Sequence, residues 1–228
     1  MRATALVFAI ALPAFGFWMA PAGRAAAQSA PLLRAEFRIE LEPASTKGGP
    51  QPADPGDAGE RLLGEAAWAY GGMLWGFEFE YAPYDRARGI AETFRLRSLG
   101  AIERGDPRLV PGPASSDGRA LRAYVEYRPD EAGAGLVESY RREPWKAAQG
   151  LGKAEVALGW AGRRAACEDA LREAVRAHLR SIEPNKPRGA SGRVVLERPP
   201  TIRVQGGRYT AQLRARIEVL EWKPYVVY

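Results

Sequence analysis

The sequence predicts an α+β protein in which helices pack on one face of antiparallel sheet. Three observations predict it: several stretches alternate apolar and polar residues with a period of two, two stretches repeat apolar residues every three to four positions, and dense Pro and Gly segments separate them.

The first strand reads "RAEFRIELE" from Arg34. Ala35, Phe37, Ile39 and Leu41 alternate with Arg34, Glu36, Arg38, Glu40 and Glu42, which gives one buried and one wet face. The Pro- and Gly-rich "PASTKGGPQPADPGDAG" predicts an exposed loop. A helix is expected over 58–70, where Leu62, Leu63, Ala66, Ala67, Ala69 and Tyr70 form a stripe. Asp57 and Glu60 have the spacing of a capping box, and Gly71 and Gly72 are read as its end. Next, Trp75, Phe77, Phe79 and Tyr81 share one face of a strand with Glu78 and Glu80 on the other. Large apolar side chains are mostly inside, so the aromatic row reads as core rather than as a ligand platform. A partner strand over 92–99 would set Arg95 and Arg97 across from the two glutamates.

The segment "GDPRLVPGPASSDG" reads as a loop, followed by the strand "RALRAYVEYRP" and a short helical piece around 135–142. The Gly-punctuated "QGLGKAEVALGWAG" fits no regular element. The strongest helix is "RRAACEDALREAVRAHLRSI", with Cys167, Ala170, Leu171, Ala174, Val175, Leu179 and Ile182 on one stripe and an i,i+4 pair from Glu168 to Arg172. The chain closes on "GRVVLERPP" and a long alternating run from Tyr209 to Val219, read as a hairpin. Strand, helix, strand, strand from Arg34 to Leu99 is echoed from Leu121 to Val219, which suggests units over 28–119 and 120–228 that may equally form one domain.

Residues 1–27 have the order of a secretory signal peptide: Arg2, an uncharged run from Ala3 to Met19, then small residues with Ala25 and Ala27 at the cleavage positions. Export to the periplasm or the extracellular space is therefore expected, with no membrane span after cleavage. Loss of Arg2 and Arg24 with no acid lowers the charge from +6 to +4, a mild excess that argues against a dedicated nucleic-acid surface. Arg outnumbers Lys 28 to 5, which fits bidentate anion recognition, but with Ala and Gly abundant too genome composition is the better explanation. The single cysteine, Cys167, cannot form an internal disulfide and lies on an apolar stripe, so it reads as a small buried hydrophobe.

Catalytic and metal signatures fail one by one. One His and one Cys cannot build a soft metal site, so neither a metal nor a cofactor is expected. His178 lacks the local signature of a triad histidine, and "GLGK" at 150–153 has Ala147 and Ala154 where a phosphate loop needs Gly and Ser or Thr. The C-terminal "EWKPYVVY" resembles the last strand of an outer-membrane barrel, with Leu220, Trp222, Val226 and Tyr228 on one face, but Pro224 interrupts it and the charged helix has no place in a barrel wall.

Three functional readings follow. The first is an exported, non-catalytic protein that binds an unidentified protein or small molecule through its loops. Its candidate contacts are Tyr84, Asp85, Arg86 and Arg88 in the turn "APYDRARG". The second is a hydrolase of envelope polymers using carboxylates among Glu78, Glu80 and Asp85. The third is a structural subunit of an envelope assembly that pairs through exposed sheet edges.

Overall fold

The protein is described from a computed structural model, which covers residues 31–41, 58–142, 144–183 and 187–225. The signal-peptide reading of residues 1–27, the Asp57 cap, most of the Pro- and Gly-rich loop after Leu41, and the Val226 and Tyr228 end of the last apolar face lie outside the described residues.

The described residues form an α+β fold with two antiparallel sheets. The smaller sheet has the order β1 (Leu33–Glu40), β5 (Ala120–Tyr127), β4 (Leu109–Ser116). The larger has the order β3 (Thr93–Ser98), β2 (Phe77–Ala82), β7 (Gly189–Leu196), β9 (Arg208–Lys223), β6 (Lys146–Glu155), with β8 (Thr201–Gln205) also paired to β9. Helices α1 (Ala58–Leu74) and α2 (Glu131–Arg142) belong with the smaller sheet, and α3 (Trp160–Ile182) lies on β6 and β9. The expected boundary at 119/120 runs through the β4–β5 hairpin. Strand β5 pairs with β1 and β7 pairs with β2, so each sheet draws strands from both stretches.

Each sheet has its own core. Phe37 and Ile39 of β1, Val125 and Tyr127 of β5, and Leu62, Ala66, Tyr70 and Leu74 of α1 fill the first. The Tyr70 hydroxyl donates to the Val125 carbonyl at 2.6 Å, and its ring meets Phe37 edge-on, so a large buried aromatic satisfies its polar end. The second core joins Phe77, Phe79 and Tyr81 of β2 to the apolar stripe of α3 and to Tyr209, Leu213 and Ile217 of β9. The aromatic row is thus core over Phe77, Phe79 and Tyr81. Trp75 is the exception: it follows the helix and packs with the first core.

The helix does not end at Gly71 and Gly72, and Gly72 serves close approach. A Cβ on Gly72 would lie 2.8 Å from both Leu196 and Phe77. The helix ends at Leu74, just before Gly76, whose φ of 71° suits glycine, with the Trp75 and Gly76 N–H groups donating to the Gly71 carbonyl. The β2–β3 register sets Glu78 opposite Arg97 and Glu80 opposite Arg95, the cross-strand pairs expected from sequence, and both pairs form ion contacts.

Two stretches differ from expectation. Residues 109–116 form a strand despite Pro111 and Pro113, because β4 is an edge strand with a register shift between Pro111 and Ala114, where a missing donor costs no ladder bond. The unassigned "QGLGKAEVALGWAG" holds most of β6, a single 3-10 turn (Val156–Leu158) and the start of α3. Its glycines are helix-sheet contacts, since a Cβ on Gly150 would sit 1.8 Å from the Ala170 carbonyl oxygen. On α3 itself, Arg172 pairs with Asp169 at 2.5 Å and approaches Glu92, in place of the expected Glu168. Among the described residues no helix is long and apolar enough to cross a membrane.

Candidate functional site

Helix α3 begins with a charged residue on its apolar side. Arg163 is four residues before Cys167 and seven before Ala170, so it falls on the buried stripe, and it is only 3% exposed. A buried guanidinium needs partners for its donors. Glu65 of α1 accepts two bonds, at 2.7 and 2.9 Å, Glu40 at the end of β1 accepts one at 2.7 Å, and the Arg38 carbonyl accepts one at 2.8 Å. Burial works against its charge, but Glu65 and Glu40 more than offset this and hold the guanidinium above its ordinary range. One side chain therefore ties α3 to α1 and β1, across the two cores.

Arg163 also lines a groove of about 1330 Å³. One wall is β1 from Arg34 to Glu40, with Arg119 and Arg122 beside it. The other is the stretch from Arg198 to Val204, where Pro199 and Pro200 separate β7 from β8. Strand β2 covers β7 but extends no further, so β8 is left with one neighbour, β9. Seven arginines line this groove (34, 38, 119, 122, 163, 198 and 203) against Glu36, Glu40 and Glu65.

Some of that charge is spent internally. Arg163 holds Glu40 and Glu65, Arg34 reaches Glu126 at 3.4 Å, and Arg122 meets Asp117 at 3.0 Å. Arg38, Arg119, Arg198 and Arg203 form no ion pair among the described residues. Arg38 moreover lies directly across the ladder from Arg122. Like charges in that position are destabilising, and Asp117, which pairs with Arg122 and is also acted on by Arg38, offsets them.

The sequence-predicted turn takes a different form. Backbone bonds in both directions between Asp85 and Ile90 close it. The Asp85 carboxylate accepts from the Arg88 guanidinium at 2.7 Å and from its N–H at 3.3 Å, and that pairing holds the carboxyl below the usual carboxylate range. Arg88 also stacks over the Tyr225 ring at 4.0 Å. The fold thus brings Asp85 and Arg88 together as a pair. Tyr84, 52% exposed, lines a separate cavity of about 280 Å³ with Tyr81, Glu92, Arg176 and Arg180, and Arg86 is exposed. Glu78, Glu80 and Asp85 each face an arginine, at Arg97, Arg95 and Arg88. Among the described residues no group of three or more His, Cys, Asp or Glu side chains could hold a metal ion.

Two other buried titratable groups are explained by packing. Cys167 is buried in the second core, and burial pushes its thiol up to about 12. His178 is buried beside Trp145, Lys146, Ile182, Ile217 and Glu218, and burial together with Lys146 lowers it below its ordinary value. The folded chain then binds this proton less readily than the unfolded chain does, so its stabilising effect is complete above about pH 6.5 and declines as pH falls below that value. Urea midpoints taken between about pH 7.5 and 5.5 should fall less for His178→Gln than for wild type. Equal falls would show that His178 titrates alike in both states.

A protein-family model for a domain of unknown function matches residues 20–225. An uncharacterized protein of Treponema pallidum (strain Nichols) is 26% identical over 191 residues, which cover 83% of this chain and 79% of that protein. No solved structure matches the chain.

Proposed function

The chain belongs to that family, and from the groove between β1 and β8 we propose that it is an exported, non-catalytic protein that binds an anionic partner or ligand. The single observation that carries the reading is the set of four arginines, 38, 119, 198 and 203, that share one groove without an ion pair among the described residues. Arginines in water are ordinary, but four converging on one concavity over a buried Arg163 raise the local potential and favour an incoming anion. A groove of about 1330 Å³ exceeds the range of roughly 300 to 1,000 Å³ common for small-molecule sites, which favours an extended ligand. Export rests on the N-terminal order of residues 1–27, and places the partner in the periplasm or outside the cell.

The test uses the chain from Gln28 onward, titrated calorimetrically with polyglutamate and, separately, with polyphosphate. Wild type should bind at low salt and bind more weakly at about 0.5 M salt, where the screening length is only a few ångströms. R38E/R119E/R198E/R203E should bind at least about tenfold more weakly, since four attractive contacts become repulsive. A wild type that binds neither polyanion, or a variant that binds as well as wild type, would overturn the reading.

A further inference from the structure

The same groove has walls made of strand edges. Strand β1 is an outer strand of its sheet, and its odd-numbered residues face β5: the Leu41 N–H donates to the Arg119 carbonyl at 2.9 Å, just past the Glu40–Ala120 pair. In an antiparallel strand the backbone groups of alternate residues point to opposite sides, so those of Arg34, Glu36 and Arg38 point to the open edge. Arg163 confirms the parity, because it takes the Arg38 carbonyl from that side. Across the groove, the two-residue Gly206-Gly207 turn closes the β8–β9 hairpin at Gln205 and Arg208, which leaves the groups of Ile202 and Val204 on the far side of β8. Among the described residues, no backbone bond is made to Arg34, Glu36, Ile202 or Val204 from these open sides.

We infer that the ligand is an extended acidic polypeptide that adds as a strand to the open edge of β1, with carboxylates four residues apart meeting Arg34 and Arg38 of the wet face. This rests on the anionic-groove reading above and adds the backbone to it. An unpaired edge is a template for another strand, main-chain bonds supply affinity, and alternate side chains supply selectivity. Charge gives the selectivity here. Arg34 and Arg38 lie four residues apart on the wet face with Glu36 between them, so a ligand with acids at every fourth residue presents them at the same spacing and keeps them off Glu36. The intervening ligand side chains fall on the opposite face, level with Phe37 and Ile39, where apolar residues fit. The buried Arg163 closes one end, so its pair with the Arg38 carbonyl marks where the added strand stops.

The probes are a capped ten-residue peptide with Val at every second position and Glu and Ser in turn at the others, two versions of it N-methylated at every Glu and Ser or at every Val, and polyphosphate. Binding is read by fluorescence anisotropy of a labelled peptide and by competition. Strand addition to one edge uses the amides of one parity, so one N-methylated version should bind at least about tenfold more weakly and the other should bind nearly as well as the parent. Glu36→Pro removes an outward N–H without touching the β1–β5 ladder, and should weaken the parent peptide by a similar factor while the far-UV spectrum stays unchanged. If Glu36→Pro perturbs the fold, the N-methylated pair decides alone. If both N-methylated peptides bind as tightly as the parent, strand addition is wrong while the anionic groove stands. If neither the peptides nor polyphosphate binds, both the strand and the groove readings fall.

Discussion

Gly150→Ala is expected to destabilise the protein by about 3 kcal/mol or more, at the upper end of overpacking costs. The reason is backbone, which cannot rotate away: the new methyl would meet the Ala170 carbonyl oxygen at 1.8 Å and the Ala174 nitrogen at 3.0 Å. Gly152→Ala has the same difficulty, with the Ala170 nitrogen at 2.1 Å and the Ala166 carbonyl at 2.2 Å. Both glycines lie on β6 where α3 rests on it, so either methyl forces the helix off the sheet along the side that buries Ala166, Ala170 and Ala174. Gly64→Ala is the matched control. It lies in α1 with nothing within 4 Å of the added carbon, and should stabilise by about 0.5 to 1 kcal/mol through helix propensity alone. Urea unfolding of the three variants checks this, and a Gly150→Ala midpoint equal to that of wild type would mean that α3 does not sit this close to β6.

Arg163→Met should cost about 3 to 5 kcal/mol, the range for breaking a buried ion pair from one side. Methionine fills much of the volume, so the loss is chiefly electrical: Glu40 and Glu65 would remain, 13% and 19% exposed at their side chains, with no cation between them. Two facing carboxylates without a counter-ion titrate at raised values in the folded state, so the variant gains stability as pH falls and loses it as pH rises through those values. R163M/E40Q/E65Q should recover a large part of the loss, because a neutral cluster leaves no uncompensated charge. If R163M alone were as stable as wild type at neutral pH, Arg163 would not be the tie between α3, α1 and β1.

The elements most legible in the sequence were those whose pattern and partners are local. The β2–β3 hairpin is one, because alternation fixes which residues share a face and cross-strand charge fixes the register of Glu78 with Arg97. Helix α3 is another, since its stripe runs for more than four turns before Ile182 emerges into solvent. What escaped were residues whose meaning depends on what packs against them. Gly72, Gly150 and Gly152 carry the signal of a break, and only the nearness of another element shows that they mark contacts. Pro111 and Pro113 forbid an inner strand and allow an edge one, and strand order is not a local property.

The groove follows the same logic. Its arginines come from residues 34–38, 119–122, 163 and 198–203, which no window of sequence brings together. One trace was available: a charged residue in phase with Cys167, Ala170 and Ala174 must be buried, and a buried arginine must have acids around it. The turn at Tyr84 to Arg88 drew notice for the opposite reason. Its charges are adjacent in sequence, and the fold pairs Asp85 with Arg88.

The central claim is that anions bind between β1 and β8, and backbone amide NMR of the chain from Gln28 onward, titrated with polyglutamate, tests it most directly. The account predicts shifts that cluster at Arg34–Arg38, Gly118–Arg122 and Arg198–Val204, with residues Tyr84–Arg88 unmoved. Shifts centred on Tyr84–Arg88, with the groove silent, would contradict it and return the site to the turn.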